Sequence, residues 1–238
     1  MSALQQCTEV TPQCPVEATT YGYRPNLGVN TTLLVVFALC TIGQVAIAVK
    51  DRIRAFATAT AIGCLLETLG YGGRLMMNDN PWTTSGFRLQ IVCIILAPTF
   101  LAAGIYLTLK HLVQHLGSDK SRLPPRLYPW IFIICDAASI LTQAAGGGLA
   151  ASASGNLLDI GNDIIIAGIA FQVATMSTCF LLAIDFGVRL QMAGRLGRNV
   201  GRGFLVYLSA TSLAFLTILI RCVYRYVVDP WNRRMSLS

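Results

Sequence analysis

Long apolar stretches alternate with short polar segments along most of the chain. Six stretches reach the roughly 20 residues that an α-helix needs to cross a hydrocarbon core about 30 Å thick, and the connections between them are short. The pattern predicts an all-α, polytopic membrane helical bundle at residues 31–228, between an amino-terminal tail at residues 1–30 and a short carboxyl-terminal tail at residues 229–238. The predicted spans are Thr31 to Val49, Ala55 to Met76, Leu89 to Leu109, Tyr128 to Ala150, Gly161 to Phe186, and Phe204 to Val228.

Composition supports the membrane class. The 238 residues are 54% apolar and 12% charged, and the mean hydropathy is +0.60. Because an ordinary soluble domain carries about 25% charged residues, this chain lacks the charge to cover a surface that faces water. The high apolar fraction also excludes intrinsic disorder.

The basic residues are concentrated on one side of the predicted bundle. The net charge is +7, and the first, third and fifth loops hold most of the Lys and Arg outside the spans. Since basic residues favour the cytoplasmic side, we expect these loops to be cytoplasmic and the amino terminus to be extracellular. With six spans, the carboxyl terminus is then extracellular too. The charge is explained by topology, so we expect no nucleic-acid partner.

Cysteine and histidine give little sign of catalysis or metal binding. Cys7 and Cys14 share the predicted extracellular tail, where they either pair or stay reduced. The two histidines, His111 and His115, are four residues apart at one end of the third span; they are either weak metal or haem ligands or interfacial titratable groups. A zinc hydrolase needs more buried ligands than this, so we expect a non-enzymatic protein with no cofactor, metal or catalytic residue.

Polar residues inside the spans recur at helical spacing. Glu67, Gly70, Tyr71 and Arg74 form one stripe on the second span, at intervals of three and four residues. Because ionisable groups at membrane depth are costly, we expect such faces to point at one another and to enclose a polar track that enters from the extracellular half. The other stripes are Asp136, Ser139, Gln143 and Gly147; Gly168, Gln172, Thr175 and Cys179; and Thr217, Arg221, Tyr224 and Arg225.

Two interpretations of these groups stay open at the level of sequence. Glu67 with Arg74 or Arg221 is either an ion pair that locks helices together or part of a site that handles a ligand or a proton. Pro98 removes a backbone hydrogen bond near the middle of the third span. The break there is either a hinge or a packing distortion.

The ordered motifs resemble a known family of fungal membrane proteins. Residues 21 to 229 are similar to the fungal lipid-translocating exporters, the aminocholesterol-resistance-like proteins. The motifs are Tyr23-x-Pro25, Glu67-x-x-Gly70-Tyr71-x-x-Arg74, Ala97-Pro98-x-Phe100-x-Ala102-Ala103-x-x-Tyr106, Asp136-x-x-Ser139-x-x-x-Gln143-x-x-Gly146-Gly147, Gly168-x-x-x-Gln172, and Arg221-x-x-Tyr224-Arg225.

The resemblance implies a role in lipid translocation, with sphingoid long-chain bases as the best-known association, and in resistance to toxic amphiphiles. It also implies seven spans, of which this sequence predicts six. Asp229 stands near the position of a family Glu. Family resemblance adds no catalytic residues.

Together, the stripes and the resemblance predict a protein that binds or translocates amphiphilic lipids, sphingoid-base-like or sterol-like, in the plasma membrane or an endomembrane. A receptor-like sensor without transport is the alternative, and a lipid-modifying enzyme is disfavoured by the shortage of histidine. The expected partners are membrane lipids or amphiphilic small molecules, and the sequence leaves a homo-oligomer open. In the expected site, Glu67 and Asp136 contact a cationic amine. The basic residues Arg74, Arg221 and Arg225 contact phosphate or carboxylate groups. The other expected ligand-binding residues are Tyr71, Gln143, Gln172 and Tyr224, and Pro98 is the expected hinge.

Overall fold

The structure is a computed structural model that describes residues 10–12, 14–16, 19, 24–50, 54–116, 123–152, 156–192 and 202–236. Within these ranges the structure describes only the backbone of residues 115, 151, 152, 156, 202–205 and 227–236. The described residues form α-helices and no β-strand; the one extended pairing among them is an isolated bridge between Thr11 and Cys14. The all-α class predicted from the sequence is confirmed.

A helix stands at every predicted span. The longer helices run past the apolar stretches, because backbone hydrogen bonding does not require apolar side chains. The last helix therefore extends through most of the predicted carboxyl-terminal tail. The helices are α1 (Leu27–Lys50), α2 (Arg54–Asp79), α3 (Thr84–Leu116), α4 (Leu127–Ser152), α5 (Asn156–Met192) and α6 (Arg202–Ser236).

Five of these helices, all except α2, are long and apolar enough to cross a membrane. The helix α2 is more polar because it carries Glu67 and Arg74 together with several Thr and Gly residues. It buries residues along most of its length, from Ala57 to Met77, whereas α1 buries only Asn30. A polar helix at membrane depth is tolerated when protein rather than lipid surrounds it. The chain is thus a multi-pass integral membrane protein.

The chain divides into two compact units, Met1–Leu101 and Ala102–Ser238, and the boundary falls within α3. In the first unit, Asn26 caps α1: its Oδ1 atom accepts a hydrogen bond of 3.2 Å from the Val29 amide. The Asn78 side chain donates a hydrogen bond of 2.7 Å to the Pro25 carbonyl, which ties the start of α1 to the end of α2.

Glycines bring α2 close to the first part of α3. A Cβ atom added to Gly73 would lie 2.8 Å from the carbonyl oxygen of Gly86, and one added to Gly70 would lie 2.8 Å from the Ile94 side chain. Both distances are too short for real contacts. Small residues at such positions let helix backbones approach in membranes, so Gly70 belongs to the packing surface of the Glu67 stripe.

In the second unit, glycines likewise allow α4 and α5 to pack closely. A Cβ atom on Gly146 would lie 2.7 Å from the carbonyl oxygen of Gly161, and one on Gly168 would lie 2.8 Å from the Gln143 side chain. The stripe predicted on α4 ended at Gly147, but an added Cβ there would meet nothing within 4 Å. The packed residue is the preceding one, Gly146, so the predicted stripe is wrong by one position. So far along the helix from Asp136, helical periodicity does not show which of two neighbouring residues lies on the same face.

Candidate functional site

A buried acid lies in the second unit. Asp136 on α4 and Tyr106 on α3 are both fully buried, and the Tyr106 hydroxyl donates a hydrogen bond of 2.9 Å to Oδ2 of Asp136. The other oxygen, Oδ1, has no hydrogen-bond partner among the described residues. A buried carboxyl oxygen without a donor is uncommon in folded proteins, and it leaves one acceptor available for a ligand.

No basic side chain in the described part of the chain forms an ion pair with Asp136. Its hydrogen-bond partner, the Tyr106 hydroxyl, is neutral. A carboxylate in such surroundings is stabilised by gaining a proton or a cation. Either a proton or a cation would therefore offset the cost of burying this group.

An amide pair lies two helical turns further along α4, about 10 Å from Asp136 by helical rise. Gln143 donates a hydrogen bond of 3.1 Å from Nε2 to Oε1 of Gln172 on α5, and both side chains are buried. Oε1 of Gln143 has no hydrogen-bond partner within the described ranges. The polar faces predicted on α4 and α5 do meet, as the stripes indicated.

On α2, the arginine of the polar stripe contacts an aromatic ring rather than the acid of the same stripe. Glu67 is fully buried, but in the described residues Arg74 makes no ion pair with it. The Arg74 guanidinium instead lies over the Tyr71 ring, 5.6 Å from its centroid, which is cation–π geometry. Tyr71 in turn stacks on Phe37 of α1, with ring centroids 5.7 Å apart. The Glu67–Arg74 ion pair considered from sequence is not formed.

The buried face of α6 is also different from the predicted one. Its interior residues are Phe215, Ile218 and Cys222, and Phe215 stacks on Phe180 of α5 with ring centroids 5.3 Å apart. Tyr224 is 64% exposed. The expectation that it faces the interior is therefore wrong, since a tyrosine near a span end is also stable at the membrane interface. Thr217 is exposed as well, whereas Arg221 and Arg225 are half-buried.

The second unit also contains an apolar cavity of about 230 Å³ between the later part of α3, the later part of α5 and the start of α6. None of the predicted ligand-binding residues lines it. Its wall includes the hydrogen bond of 3.2 Å that the Tyr207 hydroxyl donates to Thr108. Ile105, which lines the cavity, directly precedes Tyr106, the hydrogen-bond donor to Asp136, so the acid is level with one end of the cavity along α3. Its apolar wall includes Leu109, Leu112, Phe180, Phe186, Leu208 and Phe215.

Tyr106 is the site residue that the sequence prediction left out. Its motif was part of the family resemblance, but no role was assigned to it. The positions of the two residues along their helices could have identified it. Tyr106 lies about 15 Å from the end of α3 at Leu116, and Asp136 lies about 13 Å from the start of α4 at Leu127. A tyrosine and an aspartate at equal depth in consecutive spans are placed to form a hydrogen bond.

The cysteine and histidine predictions have mixed outcomes. Cys14 is disulfide-bonded, while Cys7, one of the two outcomes for which was pairing with Cys14, lies outside the described residues. The cysteines within the spans are free thiols. His111 is exposed, and the side chain of His115 lies outside the description. In the part of the chain that is described, no three His, Cys, Asp or Glu side chains are grouped to hold a metal ion.

Known proteins resemble this chain over most of its length. The sphingoid long-chain base transporter RSB1 of Saccharomyces cerevisiae is 36% identical over 178 residues, which are 73% of this chain and 46% of that protein. Protoporphyrin uptake protein 1 from the same species is 29% identical over 166 residues, 69% of this chain and 54% of that protein. The yeast protein RTM1 is 25% identical over 166 residues, 69% of this chain and 53% of its own length.

This chain thus spans about half the length of the curated relatives that it matches. No solved structure matches it. The family described as RTA1 like protein matches residues 60–229, a range that includes Glu67, Asp136 and Arg225. The chain belongs to the RTA1-like family of fungal membrane proteins.

Proposed function

We propose that this protein binds and translocates amphiphilic lipids that carry a positive charge, and that Asp136 receives the cationic group. The observation that carries the proposal is the fully buried Asp136 carboxyl, whose Oδ1 has no hydrogen-bond partner among the described residues. The name of one relative, a sphingoid long-chain base transporter, supports the same class of ligand, because a sphingoid base is an amine on a long hydrocarbon chain.

In this proposal each oxygen of Asp136 has a separate task. Tyr106 holds Oδ2 through its hydroxyl, which fixes the carboxyl group in one orientation. Oδ1 is left to accept a hydrogen bond from an ammonium group, and the charge-assisted bond is stronger than a neutral one. The amides of Gln143 and Gln172 offer neutral donors and acceptors for the hydroxyl groups of such a ligand.

The remaining predicted residues have roles that follow from their chemistry. Glu67, buried in the first unit, is a second acidic group for a cation, with Tyr71 beside it on α2. Arg74, Arg221 and Arg225 suit phosphate or carboxylate groups of lipids, and Tyr224 suits the headgroup region. Pro98 is proposed as the hinge, because it lies inside α3 and removes a backbone hydrogen bond there.

The test is flux of a fluorescent sphingoid base across vesicles that contain the purified protein. We expect Asp136→Asn to lower the rate about tenfold, the effect of losing about 1.4 kcal/mol of interaction. Asp163→Asn makes the same chemical change at an exposed position on α5 and should leave the rate unchanged. Glu67→Gln tests the second acidic group in the same assay.

Two results would contradict the proposal. Equal rates for wild type, Asp136→Asn and Asp163→Asn would remove Asp136 from the mechanism. Binding of the fluorescent base without flux above that of protein-free vesicles would show a sensor, the receptor-like alternative, rather than a transporter.

A further inference from the structure

We infer that the apolar cavity between α3, α5 and α6 binds the hydrocarbon chain of a single-chain amphiphile whose cationic end lies at Asp136. This inference rests on the proposed function, because it names where the chain of the same ligand lies. The cavity measures about 230 Å³, and its wall contains no charged residue.

The residues that line the cavity indicate which kind of molecule binds in it. Most of the lining side chains are Leu, Ile and Phe, and the wall also carries the hydroxyl groups of Thr108, Tyr207, Thr211 and Ser212. The first three of these hydroxyls already form hydrogen bonds within the protein, so the space offers water few polar partners. An empty space would forfeit the dispersion contacts of its lining. Helices in a bilayer are surrounded by hydrocarbon chains, which match this lining. A chain from an amphiphile is therefore the occupant that both fits the wall and is present in the membrane.

The cavity is also placed correctly for a ligand that is anchored at Asp136. Cys179 is the first residue of α5 that lines the cavity. Ile105, another lining residue, directly precedes Tyr106, the hydrogen-bond donor to Asp136. Along α3 the acid is thus level with the Ile105 end of the cavity, and in this inference the polar end of the bound amphiphile lies at that end.

The cavity is elongated along α5. Its lining on that helix extends from Cys179 to Leu190, a distance of about 16 Å at 1.5 Å per residue. This length accommodates a long extended alkyl chain rather than a compact ring system.

Gly187 gives a direct way to fill the cavity. It lines the wall, and a Cβ atom added to it would meet nothing within 4 Å. Gly187→Leu therefore places a side chain in the cavity without a clash at Cβ. Gly147→Leu is the matched control: it lies in the same unit, its added Cβ also meets nothing within 4 Å, and it does not line the cavity.

The experiment uses photolabelling of the reconstituted full chain. The probes are a long-chain alkylamine with a photoactivatable group at the end of the chain, and an uncharged alcohol of the same length. Labelled peptides are identified by mass spectrometry. We expect label on the cavity-lining parts of α3, α5 and α6, a decrease of about tenfold in Gly187→Leu, and no change in Gly147→Leu.

The outcomes separate this inference from the proposed function. Equal labelling of wild type, Gly187→Leu and Gly147→Leu would overturn the chain site. Labelling that Gly187→Leu abolishes, in a protein that supports no flux, would confirm the chain site and refute translocation. If Gly187→Leu does not give a monodisperse protein, Ala183→Leu, one turn earlier on α5 and also in the wall, fills the same space.

Discussion

Removal of the Tyr106 hydroxyl tests the physical basis of the buried acid. In Tyr106→Phe the ring is retained, so its packing against Phe132, with centroids 5.3 Å apart, is preserved. The hydrogen bond of 2.9 Å to Oδ2 of Asp136 is lost. Since Oδ1 has no hydrogen-bond partner in the described part of the chain, both oxygens of a fully buried carboxyl then lack one.

The expected effect follows from that change. Leaving a buried acceptor without its donor costs about 1–3 kcal/mol, and interhelical hydrogen bonds in membrane proteins lie toward the lower end of such values. We therefore expect Tyr106→Phe to reduce the free energy of unfolding by about 1–2 kcal/mol. In an Asp136→Leu background the same substitution should cost close to nothing, because no carboxyl remains to be satisfied.

The assay is reversible unfolding of the purified protein in mixed detergent micelles, followed by circular dichroism. Tyr226→Phe is the control, because Tyr226 is 43% exposed and a surface change of this kind usually stays within about 0.5 kcal/mol. Equal effects of Tyr106→Phe and Tyr226→Phe would refute the reasoning. So would a full effect of Tyr106→Phe in the Asp136→Leu background.

Two further predictions concern the contact between α4 and α5. Gly146→Ala should lower the free energy of unfolding by about 1–3 kcal/mol because its Cβ would clash with backbone atoms, whereas Gly147→Ala should stabilise the helix by up to about 1 kcal/mol; equal thermal stabilities would contradict the packing. Gln143→Leu should cost about 0.5–2 kcal/mol by removing the donor to Gln172. The double variant Gln143→Leu/Gln172→Leu should recover part of that loss, and additive costs in a double-mutant cycle would show that the amides do not interact.

The helices could be predicted from the sequence because a long apolar stretch in a bilayer has few alternatives to helix. The ends of the helices could not be predicted in this way. The stretch predicted to end at Val228 continues as helix to Ser236, since helix formation is not limited to the hydrocarbon core. The buried carboxyls Glu67 and Asp136 were also predictable, because charge at membrane depth is rare and needs enclosure.

The partners of the buried groups were harder to predict. Sequence periodicity gives the face of a helix but not the neighbour that it meets, so Tyr106 was not assigned to Asp136. It also treats every polar side chain as an interior one, which failed for Tyr224. The apolar cavity could not be predicted from the sequence, because apolar residues such as Leu109 and Phe215 occur both in cavity walls and in closely packed cores.

The role of Asp136 is tested most directly by the preference for charge. Flux into vesicles is measured for a long-chain amine and for its uncharged N-acetyl analogue, with wild type and with Asp136→Asn. If the carboxyl recognises the ammonium group, wild type should favour the amine by about tenfold or more, equivalent to about 1.4 kcal/mol, and the ratio should fall close to one in Asp136→Asn. The same ratio in both proteins would contradict a cation site at Asp136.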